Sequence, residues 1–257
     1  MFYRRRSLVF AAAVCLAAPG LLVSWEEPSL KNEPNLTAEQ KKEFLLKANV
    51  IASNELGTGY LWRLTLSDGT LTHDAAFQSD KDSHNHKIAG YELSKLLGLD
   101  DMVPVVVERK WKGTWGSMAW WIPWKWTEDT RLKEGAHPPD PDAWNKQMYK
   151  LRVFNQLIYS TDPNLARVVI TEDWKIYRID FTHAFRPYHD LQNPKDLVMC
   201  DRHLLEKLRQ LDSDQVLEKT KPHLNKSQVQ ALMKRRDKIV ANFEKLIAQK
   251  GENAVLY

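Results

Sequence analysis

The stretch from residue 157 to residue 181, LIYSTDPNLARVVITEDWKIYRIDF, decides the fold of this chain of 257 residues. Its two short strand-like runs, VVI (168–170) and KIY (175–177), are separated by a polar turn and predict a β-hairpin. One aspartate lies on each side of that hairpin: Asp162 follows the end of a predicted helix, and Asp180 follows the second strand. This order of helix, loop, hairpin and second aspartate predicts two carboxylates that face one cleft.

The residues before this stretch predict a small β lobe. Strands are predicted at 61–66, 71–77, 102–108 and 118–122. Near-helical spacing of apolar residues at 88–97 predicts one inserted helix, which Gly98 ends. We therefore predict a small antiparallel β lobe with one inserted helix over about 50–123.

The rest of the chain predicts a larger helical lobe. Residues 124–141 are rich in proline, charge and tryptophan, and we interpret them as an inter-lobe linker. Helices are predicted at 144–159, 203–211 and 227–249. The chain is therefore predicted to be an α+β protein whose helical lobe spans about 142–257.

Composition is that of a globular protein, with 43% hydrophobic and 27% charged residues. The net charge of +4 is small and spread along the chain, so nothing indicates a nucleic-acid partner. Six of the ten tryptophans fall between positions 111 and 126. We expect them to fill the core of the small lobe and its junction rather than to form a carbohydrate-stacking surface.

The N-terminus has the features of a targeting segment. Arginines at 4–6 precede an apolar run at 8–18 and then small residues. We predict that residues 1–24 are a signal peptide or an N-terminal membrane anchor and that 25–36 form a linker. The protein is then exported and is periplasmic, secreted or associated with a membrane through its N-terminus. Cys200 is the only cysteine after residue 24, which excludes a disulfide framework and a thiolate metal site.

Several short motifs resemble those of atypical kinases related to the phosphatidylinositol 3- and 4-kinases, the HipA-type kinases and the secretory-pathway kinases. The inserted-helix region matches at LSKLLGL (93–99) and MVPV (102–105). The site motif of that group, close to NTDRNxGN followed by IDH and AF, corresponds to STDPNLAR (160–167), IDF (179–181) and AF (184–185). Residues from about 36 to 257 are similar to exported bacterial proteins of this group. The resemblance implies a two-lobed protein-kinase-like fold over 37–257.

The resemblance also implies roles for individual residues. Asp162 would accept the proton of the substrate hydroxyl, and Asp180 would hold the metal on the nucleotide phosphates. Gly57 and Gly59 lie between strands, where a phosphate-covering turn is expected. The implied cofactors are ATP and Mg²⁺.

Three site positions depart from the pattern of the group. Gln78 stands where a phosphate-binding Lys is expected, and Lys87 stands where its Glu partner is expected. Arg167 replaces an Asn that binds a second metal, although Asn164 on the preceding loop offers an alternative oxygen ligand. Lys87 and Gln78 could also be a swapped pair, in which Lys87 contacts the phosphates from the helix.

These departures predict an exported pseudokinase, a binding or scaffold module with a degraded phosphoryl-transfer site. Its expected partners are an unidentified protein and, weakly, a nucleotide. The alternative is an active atypical kinase or nucleotidyl-transferring enzyme that uses Asp162 as base and Asp180 as metal ligand.

Overall fold

A computed structural model gives the structure of the protein and describes residues 35–57, 59–161 and 167–257. The predicted signal peptide, Asp162 and Asn164 lie outside these described residues.

The small lobe is an antiparallel sheet with two helices. Its elements are α1 (Ala38–Lys47), β1 (Asn49–Glu55), β2 (Leu61–Ser67), β3 (Thr72–Gln78), α2 (Lys81–Leu97), β4 (Val106–Trp111) and β5 (Thr114–Trp120). The strands lie in the order β1-β2-β3-β5-β4. Asp80 caps the start of α2 by accepting a hydrogen bond from the backbone N–H of Ser83, and Gly98 ends the helix in the left-handed conformation, with φ 68°.

The two helices cover opposite faces of this sheet. Arg109 on β4 donates hydrogen bonds of 2.7 and 2.8 Å to the carbonyl oxygens of Leu45 and Ala48 at α1. The neighbouring residue Glu108 lies 3.9 Å from His84 on α2. Because successive strand residues point to opposite faces, α1 lies on the face of Arg109 and α2 on the face of Glu108.

The remaining elements form a second, mainly helical lobe. They are β6 (Trp126–Thr127), α3 (Glu128–Glu134), α4 (Pro141–Leu157), β7 (Val168–Ile170), β8 (Ile176–Arg178), α5 (Arg202–Gln210), α6 (Ser213–Thr220) and α7 (Lys226–Lys250). The predicted hairpin is present, with Val168 opposite Arg178. The stretch predicted as a linker, 124–141, contains β6 and α3, and β6 pairs with β7.

Helix α2 packs against the helical lobe. A Cβ atom added to Gly90 would lie 2.5 Å from the ring of Phe181, which follows Asp180. The Asn85 side chain lies 2.8 Å from Nδ1 of His223 in the turn before α7. Lys87 lies between Asn85 and Gly90 on α2, so these contacts place it next to the β7–β8 hairpin. None of the helices described is both long and apolar enough to span a bilayer.

Candidate functional site

Lys87, Arg167 and Asp180 meet between α2 and the β7–β8 hairpin. Arg167 lies before β7 and donates a hydrogen bond from Nη1 to Oδ2 of Asp180, which follows β8. The other carboxylate oxygen, Oδ1, accepts hydrogen bonds from the backbone N–H of Thr182 at 2.8 Å and from its hydroxyl at 2.6 Å. Lys87 is only 5% exposed, and its positive charge acts on Asp180. Both oxygens of Asp180 therefore already have donors from the protein.

The electrostatics of this cluster keep Asp180 ionised. Burial is the largest influence and would raise its pKa, but the charge of Lys87, the hydrogen bonds from Thr182 and the charge of Arg167 together hold the pKa below its usual value. Burial lowers the pKa of Lys87, Asp180 opposes that effect, and Arg167 adds to it. Asp180 is thus a largely buried carboxylate that protein cations compensate.

The charges around Asp180 oppose a metal ion. In phosphoryl-transfer sites Mg²⁺ is held by one or two carboxylates together with phosphate oxygens and water. Within the described ranges no group of three or more His, Cys, Asp and Glu side chains is placed to hold a metal ion. Asp180 is the one predicted metal ligand that the described ranges include, and its neighbours Lys87 and Arg167 would repel a cation.

Gln78 and the two glycines lie on the small lobe. Gln78 is the last residue of β3, and its backbone oxygen lies 3.5 Å from the Ser117 hydroxyl. Gly57 and Gly59 have φ of 89° and 71°, a backbone conformation that favours glycine. Their turn adjoins the end of β3, because the backbone N–H of Ser79 donates to the carbonyl oxygen of Tyr60 at 3.0 Å. A neutral amide thus stands where a phosphate-binding cation was expected.

The sequence did not predict a polar cluster that lies on the sheet face of Gln78. Arg63 on β2 donates from Nε to Oδ2 of Asp74 on β3 at 2.7 Å, and the Thr65 hydroxyl donates to Oδ1 at 2.8 Å. The guanidinium lies 4.5 Å from the ring centroid of Trp121, whose ring centroid is 4.9 Å from that of Trp124. Trp121 therefore has Arg63 and Trp124 as immediate neighbours.

Strand register places this cluster on the side of α2. Asp74 and Gln78 point to one face, because they stand at alternate positions (74, 76, 78) along β3. Gln78 pairs with Ser117, and Ser117 pairs with Glu108, which faces α2. In the sequence, the polar residues at alternate positions 63 and 65 indicate a polar face on β2. Recognising the cluster also required the register of β2 against β3.

The comparisons with known proteins agree with this architecture. No family model matches the sequence, and no curated protein matches it. Among solved structures, the Golgi casein kinase has a TM-score of 0.60 at 12% identity, covering 85% of this chain and 78% of that chain. The same kinase with Mn/ADP bound gives 0.61 at 12% identity, over 85% of this chain and 78% of that chain. The proinflammatory kinase CtkA of Helicobacter pylori gives 0.51 at 10% identity, over 80% of this chain and 97% of that chain.

The chain has a protein-kinase-like fold. The predicted fold class, with a small antiparallel lobe and a larger helical lobe, is confirmed. At 10–12% identity the likeness to these kinases is one of fold. The kinase-like structure brings together Lys87, Arg167 and Asp180, while the roles assigned to Asp162 and Asn164 concern residues outside the described ranges.

Proposed function

We propose that the protein is an exported pseudokinase, a binding or scaffold module that does not depend on Mg-ATP. The observation that carries this proposal is the arrangement of Arg167 and Lys87 about Asp180. Arg167 bonds one carboxylate oxygen and Thr182 the other, and Lys87 adds a second positive charge. A metal ion at Asp180 would compete with these donors and lie beside two cations.

The energetic effect on nucleotide binding is large. A charge-assisted hydrogen bond contributes roughly 1.5–3 kcal/mol. Losing the phosphate-binding lysine and one metal ligand therefore costs about 3–6 kcal/mol, or about two to four decades in affinity. Gln78 can offer a phosphate only a neutral amide.

The polar cluster of the small lobe supports the same proposal. Arg63 contacts Asp74 and the Trp121 ring, and Trp121 in turn contacts Trp124. The ion pair between Arg63 and Asp74 is partly buried, with side chains 28% and 13% exposed. The Arg63 and Asp74 side chains on the sheet face of Gln78 are therefore already engaged with each other.

The second candidate function is an active atypical kinase with a swapped lysine. Lys87 lies beside Asp180, as that arrangement requires, and it would contact phosphate from α2 while Asp162 acts as the base. One similar structure, the Golgi casein kinase, carries Mn/ADP.

Nucleotide titration distinguishes the two candidates. The full chain and the triple variant Gln78→Lys, Lys87→Glu, Arg167→Asn would be titrated with ATP, with and without Mg²⁺, by calorimetry and thermal shift. We expect weak or absent binding by the native protein, little affected by Mg²⁺, and measurably tighter Mg²⁺-dependent binding by the triple variant. Adding Asp180→Ala to the triple variant should abolish that gain.

Tight Mg²⁺-dependent binding by the native protein that Asp180→Ala abolishes would overturn the pseudokinase proposal. Lys87→Ala would then test the swapped arrangement directly.

Export rests on the N-terminal sequence and has a separate test. The arginines at 4–6 and the apolar run at 8–18 support cleavage near residue 24 or retention as an anchor. Mass spectrometry of the natively expressed protein should find its N-terminus after Gly20 or Ser24. If the segment is retained as an anchor, cell fractionation should instead find the protein with the membranes. An intact Met1 terminus in the soluble cytoplasm would refute export.

A further inference from the structure

A cavity of about 390 Å³ lies where the two lobes meet, with a lining separate from the Lys87–Arg167–Asp180 cluster. The small lobe contributes Leu36 and Lys41 at α1 and Ile122 after β5, and the helical lobe contributes Gln147 on α4 and Tyr177 on β8. Ligand pockets in proteins span roughly 300–1,000 Å³. This cavity therefore suits a small ligand that contacts both lobes at once.

The floor of the cavity is apolar and already formed. Met102, Val103 and Val105 on the connection between α2 and β4 line it together with Ile122, and each is less than one-tenth exposed. The amide of Gln147 is engaged by the hairpin: its nitrogen donates to the Trp174 carbonyl oxygen at 3.1 Å, and its oxygen accepts from the Ile176 N–H at 2.9 Å. These hydrogen bonds hold the Gln147 wall in place. The apolar floor suits an apolar side chain of a ligand.

The charged residues of the lining have opposite signs on different segments. Asp100 and Asp101 lie on the connection between α2 and β4, whereas Lys41 lies on α1 and Lys175 lies on the hairpin. These four charges sum to zero, and Lys175 also lies 3.5 Å from Asp173 of the hairpin. A polyanion or a polycation would therefore meet like charges on one wall, while a ligand with one charge of each sign finds a partner for both.

We propose that this cavity binds a small zwitterion with an apolar side chain, of which a hydrophobic dipeptide is the simplest form. Its ammonium group lies toward Asp100 and Asp101, its carboxylate toward Lys41 and Lys175, and its apolar side chains on the floor. Because the lining comes from both lobes, the ligand stabilises their association.

Calorimetric titration of the full chain with leucyl-phenylalanine tests this site. We expect saturable binding, and binding about threefold to fivefold weaker for the N-acetylated and for the C-amidated dipeptide, since each loses one exposed charge pair. The double variant Asp100→Asn, Asp101→Asn should bind the unmodified dipeptide more weakly by a similar factor. Its affinity for the N-acetylated dipeptide should equal that of the native protein. These aspartates are exposed, so folding is not at risk.

Glu218→Gln is the matched control, because Glu218 is an exposed acid on α6, outside the cavity lining. It should bind the dipeptide as the native protein does. Absence of saturable binding, or equal affinity for the free and blocked dipeptides, would overturn the proposal. Equal affinity of the native protein and the double aspartate variant for the free dipeptide would overturn it as well.

Discussion

Gly90→Ala tests the contact that holds α2 against the segment after Asp180. A Cβ atom at position 90 would lie 2.5 Å from two atoms of the Phe181 ring and 2.9 Å from a third. In an open helix the change would stabilise by about 0.8–1.0 kcal/mol, because alanine is the better helix former. Overpacking a filled core costs about 1–3 kcal/mol, and Phe181 is only 1% exposed. We therefore expect the free energy of unfolding to fall by up to about 2 kcal/mol.

Urea denaturation followed by tryptophan fluorescence measures this change, and Phe181→Ala provides the control background. Alanine ends at Cβ and therefore removes all three ring atoms that a Cβ at position 90 would meet. In that background Gly90→Ala should be neutral or stabilising, which gives a coupling energy of about 1–3 kcal/mol between the two positions. Stabilisation by about 1 kcal/mol in both backgrounds would show that the ring does not lie against α2, and the placement of Lys87 beside Asp180 would then be wrong.

Lys87→Glu alone should destabilise the protein by about 3–5 kcal/mol in the same assay, because it leaves Asp180 beside a second buried carboxylate. Lys87→Met, which adds no charge, should cost less. Burial holds the pKa values of His86 and His223 below the usual 6.5. The unfolded chain then takes up protons first, so the free energy of unfolding should fall as the pH drops below 6.5, and replacing both histidines by glutamine should flatten this dependence. Asn85→Ala removes the hydrogen bond to His223 and should cost about 1 kcal/mol, with no such loss in a His223→Gln background.

Elements with local signals were predictable from the sequence. The end of α2 was predicted from Gly98, a strong cap residue, whereas its start at Lys81, capped by Asp80, was not, because the apolar spacing that indicated the helix begins only at Ile88. The hairpin at 168–178 follows from the β-branched run 168–170 and the short run 175–177 on either side of a polar turn. By contrast, β1 was not identified as a strand, because its residues are nearly all exposed and show no alternation. The two-residue strand β6 is too short to show any period, and only its pairing with β7 defines it.

The site was predictable in part. The site motif predicted that Arg167 adds positive charge near Asp180. In the structure the Arg167 guanidinium donates a hydrogen bond directly to the Asp180 carboxylate. The cluster of Arg63, Asp74 and Trp121 depends on strand register, because its members lie on β2, on β3 and after β5. Hydrophobic periodicity carries no information about which charged residues become neighbours across a sheet.

Two of the residues that depart from the kinase pattern, Lys87 and Arg167, both supply positive charge to Asp180. A buried carboxylate stays ionised only when positive partners or hydrogen bonds compensate it. Burial alone would raise the pKa of Asp180, yet Lys87, Thr182 and Arg167 hold it below the usual value. In a metal-dependent kinase the ion supplies that compensation, whereas here the protein does. Reverting Lys87 alone removes positive charge from Asp180 and adds no metal ligand, whereas reverting Arg167 alone restores one Asn ligand but leaves the neutral Gln78 at the phosphate position. The substitutions must therefore be reverted together, which is why the triple variant is the informative test of nucleotide binding.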